Sequence, residues 1–224
     1  MKKRIKIDSS LLSFVIILTG FLYLFPGLYG SNRFFDNVLD FIGMMGVLKG
    51  VVLRMAARGH KKANSRKGQA LVTEGLYSLT RNPMYLGSFL IGAGFVFIVW
   101  PWWTLPLFAG LFYMRFNKQM VKEEAVLSEQ FGKVYQDYCR KSPRIFPSIS
   151  TMIKFKVSTI INMKELFSTK EKRGLIGWPL LAVVLETFQE MFLFKSTDIF
   201  QTCILFISSM AVFALMFAVA YYKR

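Results

Sequence analysis

The sequence predicts an all-α, polytopic helical membrane protein with about five to six transmembrane helices. Three observations carry that expectation. The 224 residues are 54% hydrophobic and 16% aromatic, and mean hydropathy is +0.40. Several apolar runs approach bilayer length, which a soluble core of this size does not require. The net charge of +16 is spread between the apolar runs, as a positive-inside bias would leave it. No RNA or DNA motif accompanies the charge, so nucleic acid is not an expected partner and anionic lipid headgroups are.

Each element follows in order. Met1 to Lys6 is a basic start, and Leu11 to Tyr29 is apolar and long enough to span. The run is too long for a leader and no small-x-small site follows it cleanly, so a span is expected. Val38 to Ala57 is a weaker second span because it contains Asp40, Lys49 and Arg54. The two basic residues there are expected to snorkel toward the next loop. Arg58 to Lys67 reads as a basic loop. Its His60 is the one histidine of the chain and is expected to be solvated.

Met84 to Trp100 is the third span, broken by Pro101, and Trp102 to Phe116 is the fourth. The two form a hairpin whose tryptophans suit an interfacial aromatic belt. Lys118 to Tyr138 is charged and periodic, an amphipathic helix that continues the fourth span or lies on the membrane. Met152 to Arg173 is basic and mixed. Leu175 to Phe194 is a fifth span weakened by Glu186, Gln189 and Glu190, and Ile199 to Tyr222 is a final one closed by Lys223 and Arg224. The loops after spans one, three and five hold only Arg33 and Lys195 as basic residues. That bias puts both termini and the Arg58 to Arg81 segment in the cytoplasm. Three regions result: a two-span anchor with its basic loop over 1–70, a core over 71–148, and a C-terminal basic segment with one or two spans over 149–224.

Four constellations can carry chemistry. Tyr77, Arg81, Asn82, Pro83, Met84, Tyr85 and Gly87 stand at the mouth of the third span. Proline in the first turn and asparagine before it make an ordinary helix start. With an adjacent arginine, the same start also offers an anion site. Gly92 and Gly94 either let helices pack closely or admit a flat ligand against the backbone. Glu123 and Glu124 end the fourth span, and between Glu74 and Lys141 the other acidic residues are Glu129 and Asp137. Such a pair is either a solvated charge run or a holder of an ammonium, a sulfonium or ribose hydroxyls. Tyr135 and Tyr138 share a helix face ahead of Arg144 and Pro147, and form either a bilayer contact or an aromatic wall. Cys139 and Cys203 give neither metal spacing nor a convincing disulfide. Zinc chemistry and a Ser-His-Asp triad both lack residues, so no metal site is expected.

Taken together, RNPMYLG, then GAG, then EEAVLSEQFGKVYQDYCRKSPRIFP resemble the isoprenylcysteine carboxyl methyltransferase and phospholipid methyltransferase superfamily over about Leu71 to Pro147. The resemblance implies an integral membrane enzyme that uses S-adenosyl-L-methionine. It implies a cofactor site at the cytoplasmic face, and a lipidic or prenylated acceptor carrying a carboxylate or an amine. Gly92, Gly94, Glu123 and Glu124 match the cofactor-linked positions, and Arg81, Asn82, Pro83 and Tyr85 match an Arg-His-Pro-x-Tyr element. Asn82 departs from that element, since asparagine cannot act as an imidazole base. Arg81, Asn82, Glu124 and Arg144 are the implied catalytic residues. Tyr77, Pro83, Met84, Tyr85, Gly87, Gly92, Gly94, Glu123, Glu124, Tyr135 and Tyr138 are the implied cofactor contacts. The implied reaction is in-line displacement at a sulfonium methyl, which needs alignment and desolvation more than an acid. The implied membrane is a plasma (inner) membrane or the endoplasmic reticulum. Two other readings stand beside this one. A sterol-type reductase using NADPH shares a similar C-terminal element, but asparagine usually follows its proline where Met84 stands here. A non-enzymatic lipid-binding protein would retain the fold without a cofactor.

Overall fold

The structure, a computed structural model, describes residues 9–29, 32–148, 161–193, 195 and 199–222, with side chains from residue 15 onward. The basic start, the first part of Met152 to Arg173 and the closing Lys223 and Arg224 lie outside these residues. Every regular element among them is helical. In order they are α1 (Ser9–Leu24), α2 (Arg33–Asn64), α3 (Leu76–Leu79), α4 (Pro83–Val99), α5 (Leu105–Lys141), α6 (Met163–Leu166), α7 (Gly174–Leu193) and α8 (Ile199–Tyr222), joined in places by single 3-10 turns.

The largest departure from the sequence reading concerns α2. It is not a weak span but the centre of the molecule. Met44, Val47, Leu48, Val51 and Met55 are buried, and Leu22 of α1, Ile91 and Ile98 of α4, Ala182 of α7 and Phe206 of α8 join the same core. Of the charges that weaken it in the sequence, Arg54 has partners. Arg54 meets Glu171 at 3.3 Å and also bonds Ser88, so it does not snorkel into a loop. Lys49 is exposed. At 32 residues α2 is about 48 Å long, well beyond a hydrocarbon core of about 30 Å. Its last turns absorb Arg58 to Asn64, which the sequence reads as loop.

α2 and α4 run antiparallel through a seam of glycines. A Cβ on Gly50 would lie 2.5 Å from Gly87 O, and one on Gly94 would lie 2.5 Å from Gly43 O. These are backbone-to-backbone approaches that only glycine permits.

The hairpin after α4 forms where Pro101 stops the helix. Trp100 there is buried, its Nε1 donating to Thr19 Oγ1 at 3.0 Å, so it anchors α1 instead of joining a belt. Trp102 and Trp103 are exposed. The fourth span and the amphipathic stretch become one helix, α5, interrupted at Gly132 (φ 50°, ψ −125°).

Of the six expected spans, two helices are long and apolar enough by themselves to cross a membrane, Lys170–Leu193 and Ile199–Tyr222. α4 and the described part of α1 are apolar but shorter, and the charged residues of α2 and α5 keep those two helices out by composition. The six-span count therefore exceeds what helix length and apolarity alone establish.

Candidate functional site

The sequence between α3 and α4 places polar groups where a helix begins. The chain turns at Gly75 (φ 62°), makes one turn of α3, and enters α4 through Asn82 and Pro83. Pro83 suits this position because its missing N–H has no helical partner there. Asn82 holds the capping position but does not cap. Its Nδ2 instead donates to Glu124 Oε1 at 3.3 Å and to Arg144 O at 3.1 Å.

That choice joins three distant stretches. Glu124, on α5, accepts from Arg144 Nε at 3.2 Å and faces Arg144 Nη2 at 3.1 Å and Arg81 Nη1 at 3.7 Å. Arg144 Nη1 donates to Asn117 Oδ1 at 2.8 Å. The backbone repeats the connection, with Arg81 N donating to Pro143 O at 2.8 Å and Thr80 Oγ1 to Arg144 O at 3.1 Å. The break at Gly132 folds the end of α5 back so that Tyr138 OH donates to Tyr77 O at 2.6 Å. One carboxylate thus sits between two guanidiniums, each less than a third exposed, and charge-assisted bonds of this kind are the stronger class.

Electrostatics sort the groups by what they can do. Burial, then the Glu123 charge, push the Tyr77 phenol far above its usual range. Burial does the same first for Tyr135 and Tyr138. None of the three is a base near neutral pH. Burial opposes the charge on Arg81, but Glu124 and Cys139 together outweigh it and hold the guanidinium charged. Its buried Nε has no hydrogen-bond partner among the described residues. Glu123 is exposed and accepts from Tyr85 OH at 3.0 Å and Gln119 Nε2 at 2.9 Å.

The structure therefore gathers Tyr77, Arg81, Asn82, Pro83, Tyr85, Glu123, Glu124, Tyr135, Tyr138 and Arg144 around the start of α4. Three glycines and Met84 go elsewhere. Gly87 and Gly94 face α2, where backbone fills the space a flat ligand would need, and Gly92 faces the Phe108 ring. Met84 packs on the hydrophobic core.

Sequence reading missed a second feature beside the cluster, a run of aromatic rings. Phe89 lies 5.3 Å from both Phe112 and Phe146, and Phe112 lies 4.5 Å from Phe116, which in turn lies 5.5 Å from Tyr85. The signal was present as Phe108, Phe112 and Phe116 at four-residue spacing facing Tyr85 and Phe89 at the same spacing. His60 is not solvated, as the sequence leads one to expect, but half-buried. Its Nδ1 lies 2.9 Å from Glu165 Oε2, a partner 105 residues away.

Residues 41–134 match the family model described as phospholipid methyltransferase. The match begins well before Leu71 and so takes in most of α2, and it ends before Tyr135. Among curated relatives, protein-S-isoprenylcysteine O-methyltransferase of Schizosaccharomyces pombe is 33% identical over 91 residues, 40% of this chain and 39% of the relative. The protein of the same name from Xenopus laevis is 31% identical over 119 residues, 50% of this chain and 41% of the relative. A nickel-cobalt-cadmium resistance protein of Alcaligenes xylosoxydans xylosoxydans is 29% identical over 109 residues, 49% of this chain and 50% of the relative. The chain thus spans half or less of the length of these relatives. No solved structure matches it.

Proposed function

We propose that the chain, whose residues 41–134 match the phospholipid methyltransferase family model, is an integral membrane methyltransferase of the isoprenylcysteine carboxyl methyltransferase and phospholipid methyltransferase superfamily. It uses S-adenosyl-L-methionine and acts on a lipidic or prenylated acceptor at the cytoplasmic membrane interface. The observation that supports this most is the meeting of Arg81, Asn82, Glu124 and Arg144, residues up to 63 positions apart in the chain.

The residues fit the cofactor chemically. S-adenosylmethionine supplies an electrophilic methyl on a sulfonium and carries a carboxylate, an ammonium and ribose hydroxyls. The unpartnered buried Nε of Arg81 is a donor suited to a carboxylate. Glu123, exposed and already accepting from Tyr85, suits an ammonium or hydroxyls. Tyr135 and Tyr138, whose rings are 6.1 Å apart, offer π faces to a cation.

Within the chain, Glu124 fixes the two guanidiniums and Asn82 is a positioning residue that ties Glu124 to the Arg144 backbone. With no imidazole at position 82, proton removal falls to Glu123 or Glu124 if the acceptor is an amine. If it is a carboxylate, Arg81 or Arg144 steers it and no base is needed. The aromatic rings from Tyr85 to Phe146 give the apolar part of the acceptor a path from the bilayer. In the full reading all six apolar runs cross the membrane, α2 doing so with Asp40 buried and Arg54 paired to Glu171, and both termini are cytoplasmic.

Calorimetry on the full chain in detergent, with S-adenosylmethionine and separately with NADPH, tests the cofactor. The expected result is saturable heat with the first and none with the second. Heat with NADPH alone would replace this reading with the reductase, and heat with neither would leave a lipid-binding protein. Transfer of labelled methyl into a total lipid extract and into a prenylcysteine, resolved by mass, identifies the acceptor.

A further inference from the structure

The far end of the bundle carries a second polar cluster that methyl transfer does not use. Asp36 and Asp40 lie one turn apart on α2, and Glu186 reaches them from α7. One carboxylate oxygen from each falls within 4.8 Å of the other two. Asp40 is 1% exposed and its Oδ1 has no hydrogen-bond partner among the described residues. Asp40 and Glu186 line a cavity of about 180 Å³ that Glu190, Thr202 and Ser208 also line. Thr202 Oγ1 donates to Glu190 Oε2 at 3.4 Å. With its amide oriented to donate, Gln189 lies 2.9 Å from Glu186 Oε2 and 3.2 Å from Ile98 O.

Four carboxyl groups converge here, and Arg33, 4.0 Å from Glu190, brings one positive charge to them. Buried carboxylates need a paired charge, a metal ion or a proton. The site lies about 20 Å along α2 from Arg54, given 1.5 Å per residue, so it is not an extension of the Arg81–Glu124 cluster.

We propose that Asp36, Asp40 and Glu186 bind a hard divalent cation. The donors are all oxygens, with neither histidine nor thiol among them, and such a set suits hard cations such as calcium, magnesium and manganese. The spacing agrees with this, since oxygens about 2.3–2.6 Å from one ion stand up to about 5 Å apart. The cavity has room for the waters that complete the shell. The cation links α2 to α7, while Glu190 and Thr202 extend the link to α8. The site is independent of the methyltransferase reading, so either can fail alone.

The test uses the full chain in detergent, stripped with a chelator and titrated calorimetrically with CaCl₂, MgCl₂ and MnCl₂. The expected result is saturable binding of at least one of the three. Asp40→Asn and Glu186→Gln each lower that affinity by about tenfold or more, while Glu124→Gln leaves it unchanged. Electron paramagnetic resonance of bound Mn²⁺ on the wild-type chain shows oxygen-only ligation without relying on any variant. Absence of saturable binding to the wild-type chain would overturn the proposal, as would wild-type affinity in Asp40→Asn. A chain that binds no cation but is stabilised by Asp40→Asn would show that the carboxyls share protons instead.

Discussion

Glu124 shows what one side chain contributes when it serves several partners. It faces Arg81, Asn82 and Arg144 at once, and its side chain is 19% exposed. Replacing it with glutamine keeps the shape and removes the charge that holds two guanidiniums. The site is partly solvated, so we expect a stability loss of only about 1–2 kcal/mol, read by thermal unfolding. The larger effect is expected on S-adenosylmethionine binding, which should weaken by at least about tenfold. Unchanged affinity in Glu124→Gln would remove this carboxylate from the cofactor site. Asn82→Asp is a sharper probe of the same contact. It sets a second carboxylate at the 3.3 Å contact with Glu124, where like charges repel, so it should lower the melting temperature more than Asn82→Ala does. The reverse order would mean that the Asn82 amide does not hold Glu124 in solution. These partners were legible in the sequence as motifs. Their pairing was not, because an asparagine before a proline looks the same whether it caps the helix or turns away from it.

At the scale of elements, two backbone features position the site. Gly132 sits at φ 50°, ψ −125°, a conformation that costs a residue with a Cβ about 1–3 kcal/mol. Gly132→Ala should therefore straighten the end of α5 or destabilise it by that amount. Either way Tyr138 would be pulled from Tyr77, a change readable as faster amide exchange over residues 133–147. Equal exchange in variant and wild type would count against the break. The second feature is the glycine seam. Gly94→Ala and Gly50→Ala each drive a Cβ into backbone of the facing helix and should cost about 1–3 kcal/mol or more. Gly110→Ala meets nothing within 4 Å and should be neutral or stabilising by up to about 1 kcal/mol. Similar melting temperatures for all three would refute close α2–α4 packing. The boundaries of α4, α7 and α8 were readable to within a residue from apolar run and punctuation. The rank of α2 was not, since Asp40 and Arg54 count against a span until Glu186 and Glu171 are seen beside them.

Over the whole molecule, the segment that carries the family likeness is not the unit that folds. Residues 41–134 exclude Arg144, which closes the Glu124 cluster, and the C-terminal part that completes the core. Ala182 and Phe206 are buried with α2. Glu171 pairs with Arg54 and Arg58, and Glu165 with His60, so the segment after residue 161 clamps the end of α2 nearest the cluster. A Cβ on Gly59 would lie 2.1 Å from Glu165 O, which makes that contact one of backbone on backbone. The sequence reads the last third of the chain as a separate region, a basic segment with one or two spans, because nothing in its local pattern names a partner more than 100 residues away. Physically it is one wall of the α2 groove. A chain ending at Ser148 should therefore expose the buried face of α2, lose several kcal/mol of apolar burial, and aggregate or melt well below the full chain in the same detergent. Adding residues 161–224 in trans should recover S-adenosylmethionine binding in part. A truncated chain that melts with the full one and binds the cofactor equally would show that the tail is an accessory, and that the contacts to Arg54, Arg58 and His60 contribute nothing to the site.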